Sequence, residues 1–291
     1  MYETAPMTFC KGPVLTDGID RHGWAEIGSA RYYREYVLAL KPVIIRGGFD
    51  HWPARRKWNL HFLRDHYKDL PVTVGGSPRK LGEFIEEVLA STKDRPAPYL
   101  HNHPMELWPA EVQAEISPMP DCTRPNWLES RWFPSRKPLT YIEAYIGGPG
   151  AKFPVLHYDG LHTHAFLMQI EGVKEYVAFP PDAERFVYPQ NPGSNVSQID
   201  IENPDYDRYP LFRHADGFRF ELYPGETLFV PAGWWHTARI LAPSITVSIN
   251  GVNAANWKTF FGDFYRSKLN ACRSKARAGF KRLLMSYKPL F

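Results

Sequence analysis

His157 and Asp159 stand one residue apart in LHYDGLHTH, and His236 closes the run PGETLFVPAGWWH. In extended backbone, side chains at i and i+2 point to the same face, so this imidazole and this carboxylate would look into one cavity. Two imidazoles and one carboxylate on three corners of an octahedron are the ligand set of non-haem Fe(II) oxygenases, and they leave three corners for co-substrate and O2. His236 is the candidate third ligand. A lone His-x-Asp is a common and weak pattern, so its surroundings carry the weight. Lys174 follows on the next strand, after a turn at Glu171–Gly172. In the last strand Thr246, Ser248 and Asn250 alternate with Ile245, Val247 and Ile249, which sets a polar face beside the ligand strand. A solvated sheet face is the plainer alternative, and it fits poorly beside a Trp-Trp-His run.

The elements that must position these residues are short. The chain has 291 residues, enough for one domain or for one domain and a small appendage. Aromatics at 15% and 27 prolines are both high, which suits a β-rich fold with many turns and argues against helical bundles. A net charge of +4 is too small to argue for nucleic-acid binding. Cys10, Cys122 and Cys272 form no CxxC pair, so neither a zinc ribbon nor a disulfide framework is indicated, and a reducing cytoplasmic setting is expected. The N-terminus lacks the basic start and apolar core of a signal peptide, and no apolar run has the length of a membrane span.

Along the chain, Ser29 is placed to cap a helix over Ala30 to Leu40, stopped by Pro42. PVIIRG and PVTVGG read as strands, and helices are expected from Trp58 and over Leu81 to Ser91. Pro98-Tyr99-Leu100 opens a strand. His101 and His103 resemble a metal pair, but no acidic partner is near and Pro104 follows, so they read as non-ligands. Residues 104–138 are Pro- and Trp-rich without clear period, either a substrate lid or a packed connector. From Leu139 strands dominate, interrupted by a polar excursion over 182–215. Many short strands without βαβ alternation predict a mainly β double-stranded β-helix, a jelly-roll. It would occupy 1–252, with N-terminal helices, followed by a helical segment over 253–291 that is aromatic on one side and basic on the other. That tail could bind a membrane or an acidic partner. Packing on the barrel or on a second subunit is the favoured reading.

HYD at 157–159, QIEGVKEYVAFPP at 169–181, NPDYDRYPLF at 203–212, PGETLFVPAGWWH at 224–236 and ITVSIN at 245–250 together resemble the JmjC and cupin-like (Cupin_8) Fe(II)/2-oxoglutarate oxygenases. That family includes the asparaginyl hydroxylase of hypoxia-inducible factor and the JmjC lysyl hydroxylases. PVIIRGGFDHWPARRKW at 42–58 has the same look, so the resemblance covers residues 30 to 257. It implies a cupin/JmjC jelly-roll with Fe(II) on His157, Asp159 and His236, the candidate catalytic residues. It also implies 2-oxoglutarate as co-substrate, O2 as oxidant, and a homodimer through the C-terminal helices. The lysine of the family's GxK run holds the co-substrate's remote carboxylate, and Lys174 matches it; an unpaired buried carboxylate would be costly. Tyr99, Thr163 and Asn250 are the further candidate contacts. The match has gaps. Pro154 stands where many members have Thr, and Thr163, His164 and Leu167 occupy slots where many have Asn. His162 and His164 are open to a role beside the site or to plain packing. Trp234, Trp235, Tyr158 and Phe229 could keep the site dry or simply fill the core.

The resemblance implies an oxygenase that hydroxylates an amino-acid side chain in a protein or peptide and converts 2-oxoglutarate to succinate. A tailoring hydroxylase of a small metabolite or peptide natural product shares the chemistry. An N-methyl-lysine demethylase does too, though no reader or zinc module accompanies it. A non-catalytic cupin binding module is the alternative of another class, and the intact His157, Asp159, His236 and Lys174 argue against it. Fold alone does not choose among them.

Overall fold

The computed structural model describes residues 13–130, 141–267 and 269. Its strands in chain order are β1 (Val14–Asp17), β2 (Arg21–Gly23), β3 (Val43–Arg46), β4 (Pro71–Val74), β5 (Ser77–Lys80), β6 (Leu100–Pro104), β7 (Ile142–Gly147), β8 (His164–Glu171), β9 (Lys174–Phe179), β10 (Asp216–Leu222), β11 (Glu226–Val230), β12 (Trp235–Ile240) and β13 (Ser244–Gly251). A seven-stranded sheet runs β2-β3-β11-β8-β13-β7-β6, and a four-stranded sheet runs β1-β10-β9-β12. β4 and β5 form a separate hairpin. Ala165, Leu167, Leu228 and Val230 of the larger sheet pack against Tyr176, Ala178, Phe220 and Leu222 of the smaller. The two sheets thus close face to face, the jelly-roll expected from the strand pattern.

Strand alternation decides what faces where. On β8, Phe166, Met168 and Ile170 turn outward into a core shared with the N-terminal helices, while Ala165 and Leu167 turn into the barrel. On β13, Ile245, Val247 and Ile249 join the outer core, which leaves Thr246 and Ser248 on the inner face, as the alternation predicts. On β9, Val177 and Phe179 face a third apolar cluster, and Lys174, Tyr176 and Ala178 share the inner face.

The outer layers explain the irregular stretches. A helical run from Trp24 to Val37 is broken at Gly28, whose φ is +64°, and its last five residues wind as π-helix. The helix expected from Ala30 is therefore preceded by a turn not foreseen, and Leu40 at φ +51° ends it ahead of Pro42. The helices at Leu60–Tyr67 and Leu81–Leu89 lie where the periodicity put them. Met105, Trp108, Val112, Ile116 and Cys122 of the irregular insert are buried in the outer core. The described part of the insert is a packed connector, and 131–140, the remainder of the expected lid, lies outside the described residues. The excursion at 182–215 covers the outer face of the smaller sheet through Ala183, Val187, Ile199, Tyr209 and Phe212. Residues 257–267 form a helix whose Phe260 packs on Leu128 and Val252. Most of the expected helical tail, 268 and 270–291, lies outside the described residues.

The turn between β8 and β9 sets where Lys174 enters the barrel. Gly172 sits at φ +74°, and a Cβ there would lie 2.0 Å from the carbonyl oxygen of Pro243. Both the left-handed backbone and the backbone contact exclude a side chain. Gly172→Ala should therefore cost about 2 kcal/mol or more in a urea unfolding titration. An unchanged midpoint would show that the turn relaxes freely.

Candidate metal centre and co-substrate pocket

His157 and Asp159 do not belong to a ladder strand. They lie on a short extended segment ahead of β8, tied by isolated bridges to His236 and Val196. The His157 amide donates to the His236 carbonyl at 3.1 Å, and the His236 amide returns a bond to the His157 carbonyl at 2.6 Å. On the other side the Tyr158 amide donates to the Asn195 carbonyl, and the Ser197 amide to the Leu156 carbonyl. The segment is thus clasped between β12 and the excursion. A strand reading of 157–159 misses this, yet the extended backbone keeps the two side chains on one side.

The ligating atoms of His157, Asp159 and His236 lie within 4.8 Å of one another. Among the described residues this is the only such group of three or more His, Cys, Asp and Glu side chains. His236 Nε2 stands 3.9 Å from Asp159 Oδ2, and the two imidazole centroids are 4.6 Å apart. His236 Nδ1 is 3.0 Å from the Trp234 carbonyl and His157 Nδ1 3.3 Å from the Val155 carbonyl. A carbonyl only accepts, so both rings carry their proton on Nδ1 and present the Nε2 lone pair to the centre. The Phe153 ring stacks on His157 at 4.4 Å and fixes its plane.

Burial pushes the His157 imidazole down to about 3, helped by the neighbouring His236, and pushes the Asp159 carboxyl above its usual range, with His236 opposing. Both shifts disfavour charge in this enclosed space. A divalent cation needs neutral imidazoles and an ionised carboxylate and would stabilise both. Two imidazole nitrogens and one carboxylate oxygen are a donor set that fits Fe(II). Asp159 keeps 23% of its side chain exposed against 8% for His236, so the site opens on the Asp159 side.

Deeper in the barrel lies Lys174, only 1% exposed. Its register partner is Ile240, whereas Ala178 is opposite His236, so it sits four residues below the metal level, about 13 Å along the strand. Its Nζ donates to the Tyr99 hydroxyl at 3.0 Å and lies 5.4 and 5.5 Å from the ring centres of Tyr99 and Tyr145. No carboxylate pairs with it among the described residues, and burial lowers its ammonium to about 7. A buried cation held only by a phenol and ring faces is the complement of a carboxylate. One cavity joins Lys174 and Tyr99 to His157, Asp159 and His236, with Tyr145, Tyr176, Thr237 and Ser248 also on its wall.

The structure separates the other candidates. The Thr163 hydroxyl donates to the Asn250 side-chain oxygen at 3.3 Å, and neither residue lines the cavity. Ser248, two residues before Asn250 on the same strand face, lines it instead. His164 is fully buried and its Nδ1 accepts from the Ala232 amide at 3.0 Å, while burial lowers the ring to about 4; it is a neutral packing histidine. His101 reaches Asn102, and His103 packs edge-on against Trp108, so neither joins the metal group. Trp234, Trp235 and Phe229 fill three different clusters and, like Tyr158, do not line the cavity. The aromatic wall is Tyr99, Tyr145, Phe153 and Tyr176. Sequence reasoning missed Tyr145 and Glu143, although TYIEAYIG alternates with both on the inner face. Glu143 is 8% exposed and accepts from Asn102 Nδ2 at 3.0 Å and the Tyr145 hydroxyl at 2.9 Å. It sits opposite Ser248, and burial holds it above the usual carboxylate range, with the Asp159 charge adding to the effect.

A jelly-roll holding a two-histidine, one-carboxylate cluster above a buried lysine defines the class of 2-oxoglutarate oxygenase barrels. Residues 29–252 match the cupin-like domain model, Cupin_8. The chain is 31% identical to lysine-specific demethylase 8 of Xenopus tropicalis over 235 residues, 76% of this chain and 50% of that protein. It is 37% identical to JmjC domain-containing protein D of Dictyostelium discoideum over 249 residues, 74% and 52% of the two chains. It is 30% identical to human HSPB1-associated protein 1 over 243 residues, 75% and 49%. The chain belongs to the JmjC/cupin-like family of Fe(II)/2-oxoglutarate oxygenases. It spans about half the length of these three relatives. Fe(II), 2-oxoglutarate and O2 are the cofactor set this family uses. No helix among the described residues is long and apolar enough to cross a membrane.

Removing one ligand should cost more than the 10–100-fold in metal affinity typical of disturbing a supporting residue. His236→Ala is expected to weaken Mn(II) binding at least about a hundredfold by titration, with the circular dichroism spectrum unchanged. Undiminished binding would remove His236 from the ligand set.

Proposed function

We propose that this chain is an Fe(II)- and 2-oxoglutarate-dependent oxygenase that hydroxylates an amino-acid side chain of a protein or peptide, with His157, Asp159 and His236 as metal ligands. The observation that carries the reading is Lys174, a buried ammonium without a carboxylate partner among the described residues, in the same cavity as the metal cluster. With Fe(II) and 2-oxoglutarate bound, the chemistry supplied is O2-dependent oxidation of a C–H bond coupled to decarboxylation of 2-oxoglutarate to succinate. The chain's own residues orient and enclose. The Trp234 and Val155 carbonyls aim the two imidazoles, Lys174 and Tyr99 bind the remote carboxylate, and the tyrosines and Phe153 keep water from the chamber. Thr163 and Asn250, hydrogen-bonded to each other, would support the cavity from behind.

Glu143 lies behind the cavity-lining Tyr145, which donates to it, and its buried carboxylate without a cationic partner among the described residues favours a protein substrate with a basic side chain. The name of the frog relative, lysine-specific demethylase 8, favours demethylation as a second reading with the same C–H oxidation. A pool of lysine-, arginine- and asparagine-containing peptides incubated with Fe(II) and 2-oxoglutarate separates the two by mass. A gain of one oxygen supports hydroxylation, loss of a methyl group from methylated peptides selects demethylation, and neither product directs attention to small metabolites. We also propose a homodimer through the segment after residue 253, supported by exposed Trp257, Tyr265 and Leu269; sedimentation of the whole chain reads it.

Lys174→Ala should weaken 2-oxoglutarate binding by two to four orders of magnitude while Mn(II) still binds. This takes about 3–5 kcal/mol for breaking a buried charged pair, at about 1.4 kcal/mol per tenfold. Lys174→Arg should rescue only in part, because the guanidinium is larger and planar. The pH dependence has a definite sign. Only the protonated amine binds the carboxylate, its free pKa is about 7, and anion binding raises it. Affinity is thus full below pH 7 and falls by about tenfold per unit above it until the bound pKa is reached. Near-native affinity in the Ala variant, or a flat profile from pH 7 to 9, would assign the anchor elsewhere.

A further inference from the structure

The loop that carries Asp159 is held from outside the barrel. It returns to β8 through Leu161 at φ +59° and His162 at φ +50°, two consecutive non-glycine residues in the left-handed region. Each such residue costs about 1–2 kcal/mol and persists only where its surroundings impose it. The surroundings are supplied by the chain after β13. The Asn256 side-chain amide donates to the His162 carbonyl at 2.9 Å. His162 Nδ1 donates to Asp263 Oδ2 at 2.5 Å, and Arg266 pairs with the other oxygen of Asp263. Leu161 packs against the cluster of Leu128, Val252 and Phe260, with Phe261 and Phe264 beside it. Within the loop, the His162 amide donates to the Asp159 carbonyl at 3.1 Å, so a displacement of His162 moves the backbone of the ligand itself.

We propose that the helix over 257–267 is a positioning element for the metal centre, and that Asp263, acting through His162, holds Asp159 in register with His157 and His236. The role is one of positioning: Asp263 touches neither the ligating atoms nor the cavity wall. It does not require a charged imidazole, since a neutral ring with its proton on Nδ1 makes the same bond. The two histidine ligands are fixed to each other by their mutual backbone bonds, whereas the carboxylate follows them on a loop whose conformation is unfavourable by itself. The carboxylate is therefore the ligand that an outside clamp can place or misplace.

The inference rests on the metal reading of the three ligands, and the test separates the two. Mn(II) affinity and the ligand-field spectrum of the Co(II)-loaded whole chain are compared for the parent, Asp263→Ala, Asp263→Asn, His162→Ala and the double variant. The expected result is a loss of about tenfold or more in Mn(II) affinity for Asp263→Ala, with a shifted Co(II) spectrum and an unchanged thermal midpoint of the metal-free protein. Asp263→Asn, which keeps an acceptor oxygen at the same reach, should restore the parent spectrum, an effect that mere helix packing would not produce. The loss in the double variant should not exceed that of His162→Ala. A parent that binds neither metal refutes the metal reading itself. A parent that binds, with Asp263→Ala within twofold of it and an unshifted spectrum, overturns the clamp alone, as do additive losses in the double variant. If Asp263→Ala unfolds, Asp263→Asn and His162→Ala decide: a parent spectrum in the first with a shifted spectrum in the second supports the clamp, and any other pairing overturns it.

Discussion

The site depends on two hydrogen bonds between residues 79 positions apart, the mutual amide-to-carbonyl pair of His157 and His236. Each adds only about 1 kcal/mol net, but leaving such buried groups unpaired would cost about 1–3 kcal/mol apiece. The pair therefore makes the approach of the two imidazoles the lowest-energy way to satisfy both backbones. Everything nearby serves this bridge. Asn195 and Ser197 close the other edge of the ligand segment, Phe153 fixes the ring of His157, and the carbonyls of Val155 and Trp234 choose the tautomers.

Around that bridge the barrel interior is organised by charge. Lys174 lies four residues below the metal level, Asp159 lines the same cavity, and Glu143 is buried beside the cavity-lining Tyr145. Burial penalises every one of these charges: it lowers the lysine and raises both carboxyls. Such an interior is costly for folding; under the proposed function Lys174 would meet an anion and the three candidate ligands a metal cation. The outer clusters carry the compensating stability. The first packs the N-terminal helices on the larger sheet, and the third lays the 182–215 excursion on the smaller one.

Those covering layers also have positional work. The excursion supplies the second edge of the ligand segment, and the insert after β6 reaches the last strand, where the Asn126 side chain donates to the Asn250 carbonyl at 2.8 Å. Residues far from any ligating atom thus fix the rim from which Asp159 descends.

Period-two alternation was enough to read the strands of the jelly-roll, the inner polar face of β13 and the common facing of His157 and Asp159. Each depends on which side of a strand a residue occupies, and that is set by parity along the chain. Parity could not choose between Asn250 and Ser248, which share a face: depth in the barrel decides, and depth comes from the pairing register of β13 with β7 and β8. Nor could it show that 157–159 is no ladder strand, because its partners, Val196 and His236, are remote in sequence. Proximity in the chain leaves Trp234, Trp235 and Phe229 open to a drying role or to core filling, and the tertiary structure decides for the core, sending each to a different cluster. Alternation gives the face of Glu143 but not its partners, and nothing local announces the contact of Asp263 with His162. A carboxylate in a strand or a helix has no local signature of its distant partners, and only tertiary packing brings Asn102 to Glu143 and Asp263 to His162.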